Sequence, residues 1–224
     1  MYEKIFDIDV QKNMDIFFIN KLAKYGKIVT FKKGQIINPN NPDNIYIIVK
    51  GEVNQGMYSK NGDEIIFYRI TEGSIFGEID FFDKSRTFVV NKAVTKGKIS
   101  VLNREVVESK LKEYPEIYHY FLTSIIRKYR MIMIELTNFQ FNDSIGKLAD
   151  FLVRLYYTEN INLKNNISII LTHEEIANRI GINRITVTNG MKLLKDKNLI
   201  EIKDRKITIK DIENLKKLTN IPME

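Results

Sequence analysis

The 224 residues predict an α+β chain: an N-terminal antiparallel β jelly roll, one long amphipathic helix, and a C-terminal helix-turn-helix backed by a β-hairpin wing. Three observations predict it. Short runs rich in β-branched and aromatic residues recur between Lys27 and Leu102, separated by Gly, Pro and Asn. From Arg104 onward the apolar spacing turns helical. Towards the C-terminus two short helical patterns meet at Gly181-Ile182-Asn183, and two strand-like runs follow.

Residues 4–25 carry mixed helical periodicity and are expected to pack outside the roll. The strand-like runs are KIVTF (27–31), QIIN (35–38), NIYIIV (44–49), EVNQGMYS (52–59), EIIFYRI (64–70), TFVVNKAV (87–94) and ISVL (99–102). Asn61-Gly62 is the strongest hairpin signal, because both residues tolerate positive φ. So many short strands at this spacing point to an antiparallel barrel or jelly roll. A short helix over Glu105–Glu113 is expected to stop at Tyr114-Pro115, since proline disfavours helix in the residue before it.

A long helix follows from about Glu116 to Asn142. Within it Tyr118, Leu122, Ile125, Tyr129, Ile132, Leu136 and Phe139 recur at alternating steps of four and three. Such a seam packs helix on helix and predicts a homodimer interface. Ile126 and Met133 flank the seam and are expected to face the barrel. Asn142-Asp143-Ser144 reads as a hinge, Ile145–Tyr157 as a further helix, and Thr158–Asn166 as a loop. The expected division is a sensing barrel over 1–115, a dimerisation helix over 116–142 and a C-terminal domain over 143–224.

The composition, 44% apolar and 28% charged, is globular. With no cysteine there is no disulfide, cysteine-ligated zinc, iron–sulfur cluster or thiol nucleophile, and the only histidines are His119 and His173. No metal site and no catalytic set are expected, so the chain does not read as an enzyme. The start lacks a secretory pattern and no apolar run is long enough to span a membrane, which predicts a cytoplasmic chain with no membrane contact. Residues 145–224 hold 14 Lys/Arg against 10 Asp/Glu, part of a net charge of +7, and such a basic bias suits an anionic polymer.

The most informative stretch is LTHEEIANRIGINRITVTNGMKLLKDKNLIEIKDRKITI, 171–209. Thr172 and Glu175 form a capping box before Ile176, Ala177 and Ile180. Gly181 suits the left-handed turn, and small Ala177 lets two helices cross closely. In the second helix Val187, Met191 and Leu194 point inward, leaving Arg184, Ile185, Thr188, Asn189 and Lys192 on the outer face for a DNA groove. The two strand-like runs around Lys203-Asp204-Arg205-Lys206 read as a wing with a basic tip.

The order of β-roll, long helix and winged helix-turn-helix resembles the CRP/FNR family of bacterial transcription regulators over essentially the whole chain. NIYIIVKGEV (44–53), the Asn61-Gly62 hairpin and EGSIFGEIDFF (72–82) carry the N-terminal resemblance, and the helix-turn-helix with its wing the C-terminal one. The resemblance implies a cyclic-nucleotide-binding-like barrel, a palindromic double-stranded operator, a homodimer and contact with RNA polymerase. The assigned DNA-binding set is Thr172, Arg184, Ile185, Thr186, Thr188, Asn189, Lys192, Lys203, Arg205 and Lys206. Arg184 suits a guanine edge, Asn189 adenine, and Ile185 a thymine methyl.

For the effector the resemblance points to a phosphate cassette at Gly77 and Glu78 with Arg86 and Thr87, although the interval from Glu78 to Arg86 is shorter than in nucleotide-binding members. Ile132 and Met133 stand where hydroxyl residues hold adenine, and Ile126 and Tyr129 complete the expected site. An apolar or aromatic effector, of identity the sequence does not specify and not an iron–sulfur cluster, or no small ligand at all, is expected over cyclic AMP. Gly190 occupies a place where an apolar core residue is expected. The alternative reading is a nucleotide-type regulatory module that does not act on DNA.

Overall fold

The N-terminal half begins with α1 (Ile8–Phe17), which runs into a π-helical turn (Phe18–Leu22) and a 3-10 turn (Ala23–Tyr25). The strands β1 (Lys27–Phe31), β2 (Asn44–Lys50), β3 (Val53–Tyr58), β4 (Glu64–Ile70) and β5 (Ile75–Phe76) follow. After α2 (Glu78–Asp83) come β6 (Val90–Ala93) and β7 (Gly97–Asn103). They form two antiparallel sheets, one in the order β1-β7-β2-β5 and one in the order β4-β3-β6. The computed structural model describes residues 7–37, 41–62, 64–159, 171–203 and 206–220. These fall into two units, Asp9–Met131 and the chain from Ile132 onward.

β2 sits in the middle because both of its faces are apolar. Ile45 and Ile47 point to a helical layer with Phe18, Leu22, Val107, Ile117 and Phe121. Tyr46 and Ile48 point the other way, into the space between the sheets with Phe31, Val53, Ile70, Phe76 and Ile99. The two-residue period of a strand does the sorting. Tyr46 stacks on Phe76 at 4.9 Å, across the Tyr46↔Phe76 pair that defines β5.

The structure differs from the sequence reading in places. Of QIIN, Ile36 makes only an isolated bridge to Lys92, and Asn38 lies outside the described residues. TFVVNKAV is strand only over Val90–Ala93. β5 and α2 escaped periodicity because one is too short to show a pattern and the other buries acids, Glu78 and Asp80.

Helices follow: α3 (Arg104–Glu113), capped by the Asn103 side chain, then α4 (Glu116–Phe141). On α4 the face turned to the β-roll is Ile117, Phe121, Ser124 and Lys128, all buried or nearly so. It lies one residue ahead of the seam. The expected barrel-facing pair, Ile126 and Met133, is instead 39% and 42% exposed. Hydrophobic periodicity passes over Ser124 and Lys128 because they are polar.

The second unit holds the last part of α4, then α5 (Ser144–Glu159), α6 (His173–Ile180), α7 (Arg184–Asp196), β8 (Ile200–Lys203), β9 (Lys206–Ile209) and α8 (Ile212–Lys216). The loop expected from Thr158 begins later, since α5 continues to Glu159, and 160–170 lie outside the described residues. Leu148, Leu152, Ile176, Val187, Leu194 and Leu215 are fully buried in this unit.

A polar junction joins α4 to α5 at the expected hinge. The Asn138 amide donates to Asp150 Oδ2 at 2.9 Å. Arg154 pairs with Glu135 and, at 2.8 Å, with Asp150. Asn142 donates to Asn138 and accepts the Asn220 backbone N–H at 2.7 Å. Burial pushes the Glu135 carboxyl above its ordinary range, and Arg154 only partly draws it back. Asp150 is fully buried. Arg154→Met, which leaves it without its cation, should lower stability by about 3–5 kcal/mol in chemical denaturation at fixed protein concentration.

Gly190 also has a reason. A Cβ there would come within 2.7 Å of Leu148 Cδ2 and 3.3 Å of Ile145 Cδ1, so the missing side chain lets α7 approach α5 closely. Gly190→Ala gains about 1 kcal/mol of helix propensity and displaces only a side-chain tip, so its thermal midpoint should stay near the parent's. Gly190→Leu should cost roughly 1–3 kcal/mol by overpacking, seen as a lower midpoint.

Candidate functional site

The helix-turn-helix is built from local bonds. Thr172 caps α6: its Oγ1 accepts the Glu175 N–H at 3.1 Å, and Glu175 Oε2 accepts the Thr172 N–H at 2.8 Å. Gly181 ends the helix in the left-handed region at φ 65°, a conformation open to glycine. Asn183 then caps α7, its Oδ1 accepting the Thr186 N–H at 2.8 Å and the Thr186 hydroxyl at 2.9 Å. Ile176, Ala177, Ile180, Val187, Met191 and Leu194 close the core between the two helices.

That core fixes what α7 offers outside. Arg184, Ile185, Thr188, Asn189 and Lys192 are all exposed, Ile185 at 73%. Among the described residues no carboxylate lies within ion-pair distance of Arg184 or Lys192. The hydroxyls have structural work: Thr172 and Thr186 serve the caps, and Thr188 Oγ1 donates to Arg184 O at 3.0 Å. Thr188 Oγ1 also shares a hydrogen bond with His173 Nδ1, 2.8 Å away. The sequence reading missed His173 as part of this face; its place directly after the N-cap was the available signal.

β8 and β9 pair with Lys203 opposite Lys206 at the tip of the hairpin, both exposed. Arg205 and Asp204 lie outside the described residues. The arrangement offers a groove-sized helix face of one guanidinium, one amide, one ammonium and one aliphatic contact, with two lysines beside it. Phosphates and base edges are what such a set binds.

A second candidate lies within the first unit. A cavity of about 30 Å³ is lined by Gln55, Tyr68, Gly77, Glu78, Ile79, Asp80, Thr87, Val89, Asn91 and Lys128. Of the expected effector residues, Gly77, Glu78 and Thr87 are in this lining; Arg86, Ile126, Tyr129, Ile132 and Met133 are not. Arg86 is exposed. The lining is mixed where an apolar one was expected, because Gln55, Glu78, Asp80 and Asn91 face it and α4 sends Lys128 inward.

Lys128 Nζ donates to Glu78 Oε1 at 2.6 Å and to Ile75 O at 2.7 Å. Glu78 is 1% exposed. The Thr87 N–H is taken by Asp80 Oδ1 at 2.9 Å. Gln55 Nε2 donates to Asn91 Oδ1 at 2.6 Å, and Gln55 Oε1 is buried with no protein partner among the described residues. Burial, reinforced by Glu78, pushes the Tyr68 phenol well up, so it stays neutral. A cyclic phosphate does not fit this arrangement: the lining carries two carboxylates and one ammonium, and that ammonium is already committed. Freeing it would strand a buried Glu78, at a cost of about 3–5 kcal/mol.

α4 leaves its seam uncovered. Tyr118, Leu122, Tyr129, Ile132, Leu136 and Phe139 are between 42% and 69% exposed; Ile125 is partly buried. Among the described residues no helix is long and apolar enough to cross a membrane, and no group of metal-ligating side chains is found.

Two family models match the chain: a cyclic nucleotide-binding domain over residues 28–114 and a Crp-like helix-turn-helix domain over 146–218. The chain is similar to the global nitrogen regulator of Nostoc sp., 29% identical over 188 residues, 81% of this chain and 84% of that protein. It is also similar to the cAMP-activated global transcriptional regulator CRP of Haemophilus influenzae, 27% identical over 167 residues, 74% of this chain and 75% of that one. Among solved structures, a CRP/FNR family regulator from Thermus thermophilus shares the fold at TM-score 0.69 and 20% identity, covering 87% of this chain and 99% of its own.

Proposed function

We propose, from the premise that this chain is a CRP/FNR-type DNA-binding transcription regulator with a cyclic nucleotide-binding domain and a Crp-like helix-turn-helix, that it reads a palindromic operator as a homodimer. Effector-controlled regulation is typical of that family. The observation that carries the reading is the outer face of α7, where Arg184, Ile185, Asn189 and Lys192 stand exposed while the inner face is buried. Two such faces related by a two-fold axis reach successive major grooves about 10 bp apart. Arg184 grips a guanine edge, Asn189 an adenine, Ile185 a thymine methyl, and Lys203, Lys206 and Arg205 hold phosphates. The His173–Thr188 bond steadies this face. Contact with RNA polymerase rests on the family likeness alone.

The seam of α4 supports the dimer. Each large apolar side chain there gains about 1.5–3 kcal/mol on full burial, and a strip of them exposed is an interaction surface. The reading assigns the sensing domain to 1–115, the dimerisation helix to 116–142 and the DNA-binding domain to 143–224.

Gel-shift titration of Arg184→Ala/Lys192→Ala should show operator affinity down at least about thirtyfold with dimerisation intact. The parent's affinity should fall at least about tenfold between roughly 50 and 200 mM salt. Binding unchanged in both arms would remove α7 from the interface. Leu122→Asp should give monomers in sedimentation with helix content retained, because Leu122 is 56% exposed within a single chain.

A further inference from the structure

We infer that the Lys128–Glu78 ion pair is a built-in latch at the phosphate end of the pocket, so that the chain binds its operator without cyclic AMP or cyclic GMP and neither nucleotide regulates it. The DNA half of this rests on the reading above; the pocket half stands on its own geometry.

Lys128 reaches from α4 into the lining with its side chain 13% exposed, and Glu78 meets it with a side chain 2% exposed. A cyclic phosphate recruits a cation and backbone N–H donors. Here the ammonium holds Glu78 and Ile75 O, the Thr87 N–H holds Asp80, and Arg86 is out in solvent. With Glu78 and Asp80 against Lys128 alone, the lining already carries excess negative charge before any phosphate arrives. The group left unmatched is Gln55 Oε1, an acceptor. The space beside it is large enough for water. The protein's own ammonium ties α4 to the roll at this point, through Glu78 and Ile75 O.

The test uses the full chain. Duplexes are selected from a random pool without nucleotide, and affinity is read by fluorescence anisotropy with and without about 1 mM cyclic AMP or cyclic GMP, alongside thermal midpoints. The expected result is nucleotide-free binding, an affinity changed by less than about twofold, and an unmoved midpoint. Lys128→Ala should lower the midpoint and Lys128→Arg should restore most of it; Glu78→Gln gives a second route to the same loss if Lys128→Ala does not fold. A tenfold tightening or a clear rise in midpoint with either nucleotide overturns the inference, as does a Lys128→Ala protein as stable as the parent. If no duplex is selected under any condition, the DNA-binding reading fails, while the midpoints with nucleotide still decide the pocket.

Discussion

The rotation of α4 about its own axis is the constraint on which the rest depends. Neighbouring residues on a helix point about 100° apart, and α4 carries two lines offset by one residue. In the first unit Ile117, Phe121, Ser124 and Lys128 form the inward line and Tyr118, Leu122 and Tyr129 the outward one; in the second unit Glu135 and Asn138 turn to the polar junction while Ile132, Leu136 and Phe139 are exposed. Turning the helix to hide the outward line would pull Lys128 from Glu78 and Glu135 from Arg154, stranding buried charges. One ion pair in each unit therefore holds a stretch of apolar side chains in solvent.

The C-terminal unit works by the same division between committed and uncommitted groups. Caps, a glycine turn and the close approach at Gly190 consume the hydroxyls of Thr172 and Thr186 and the space beneath α7. What they leave unspent is Arg184, Ile185, Asn189 and Lys192. Because the core sets their direction, engaging these side chains requires no reorganisation of the helix that carries them, which keeps the ordering cost of any binding small.

In the first unit, the polar groups lining the pocket are largely matched by one another. Glu78, Asp80, Thr87 and Lys128 satisfy one another or the backbone, leaving one amide oxygen over. A likeness of fold to nucleotide-responsive regulators does not carry their ligand with it; the side chains lining the space decide that.

Much was legible in the sequence. Period-two runs gave the strands, the alternating four-and-three spacing gave the α4 seam, and Thr172, Glu175, Gly181 and Asn183 gave the helix-turn-helix, because each depends on bonds or packing within a few residues. Only the tertiary structure decided that Lys128, not Ile126, enters the roll, that Arg86 stays outside the pocket, that Glu135 meets Arg154, and that Gly190 makes room for Leu148 and Ile145. Those are pairings between residues far apart along the chain, and a buried polar side chain looks like a surface one until its partner has been brought beside it.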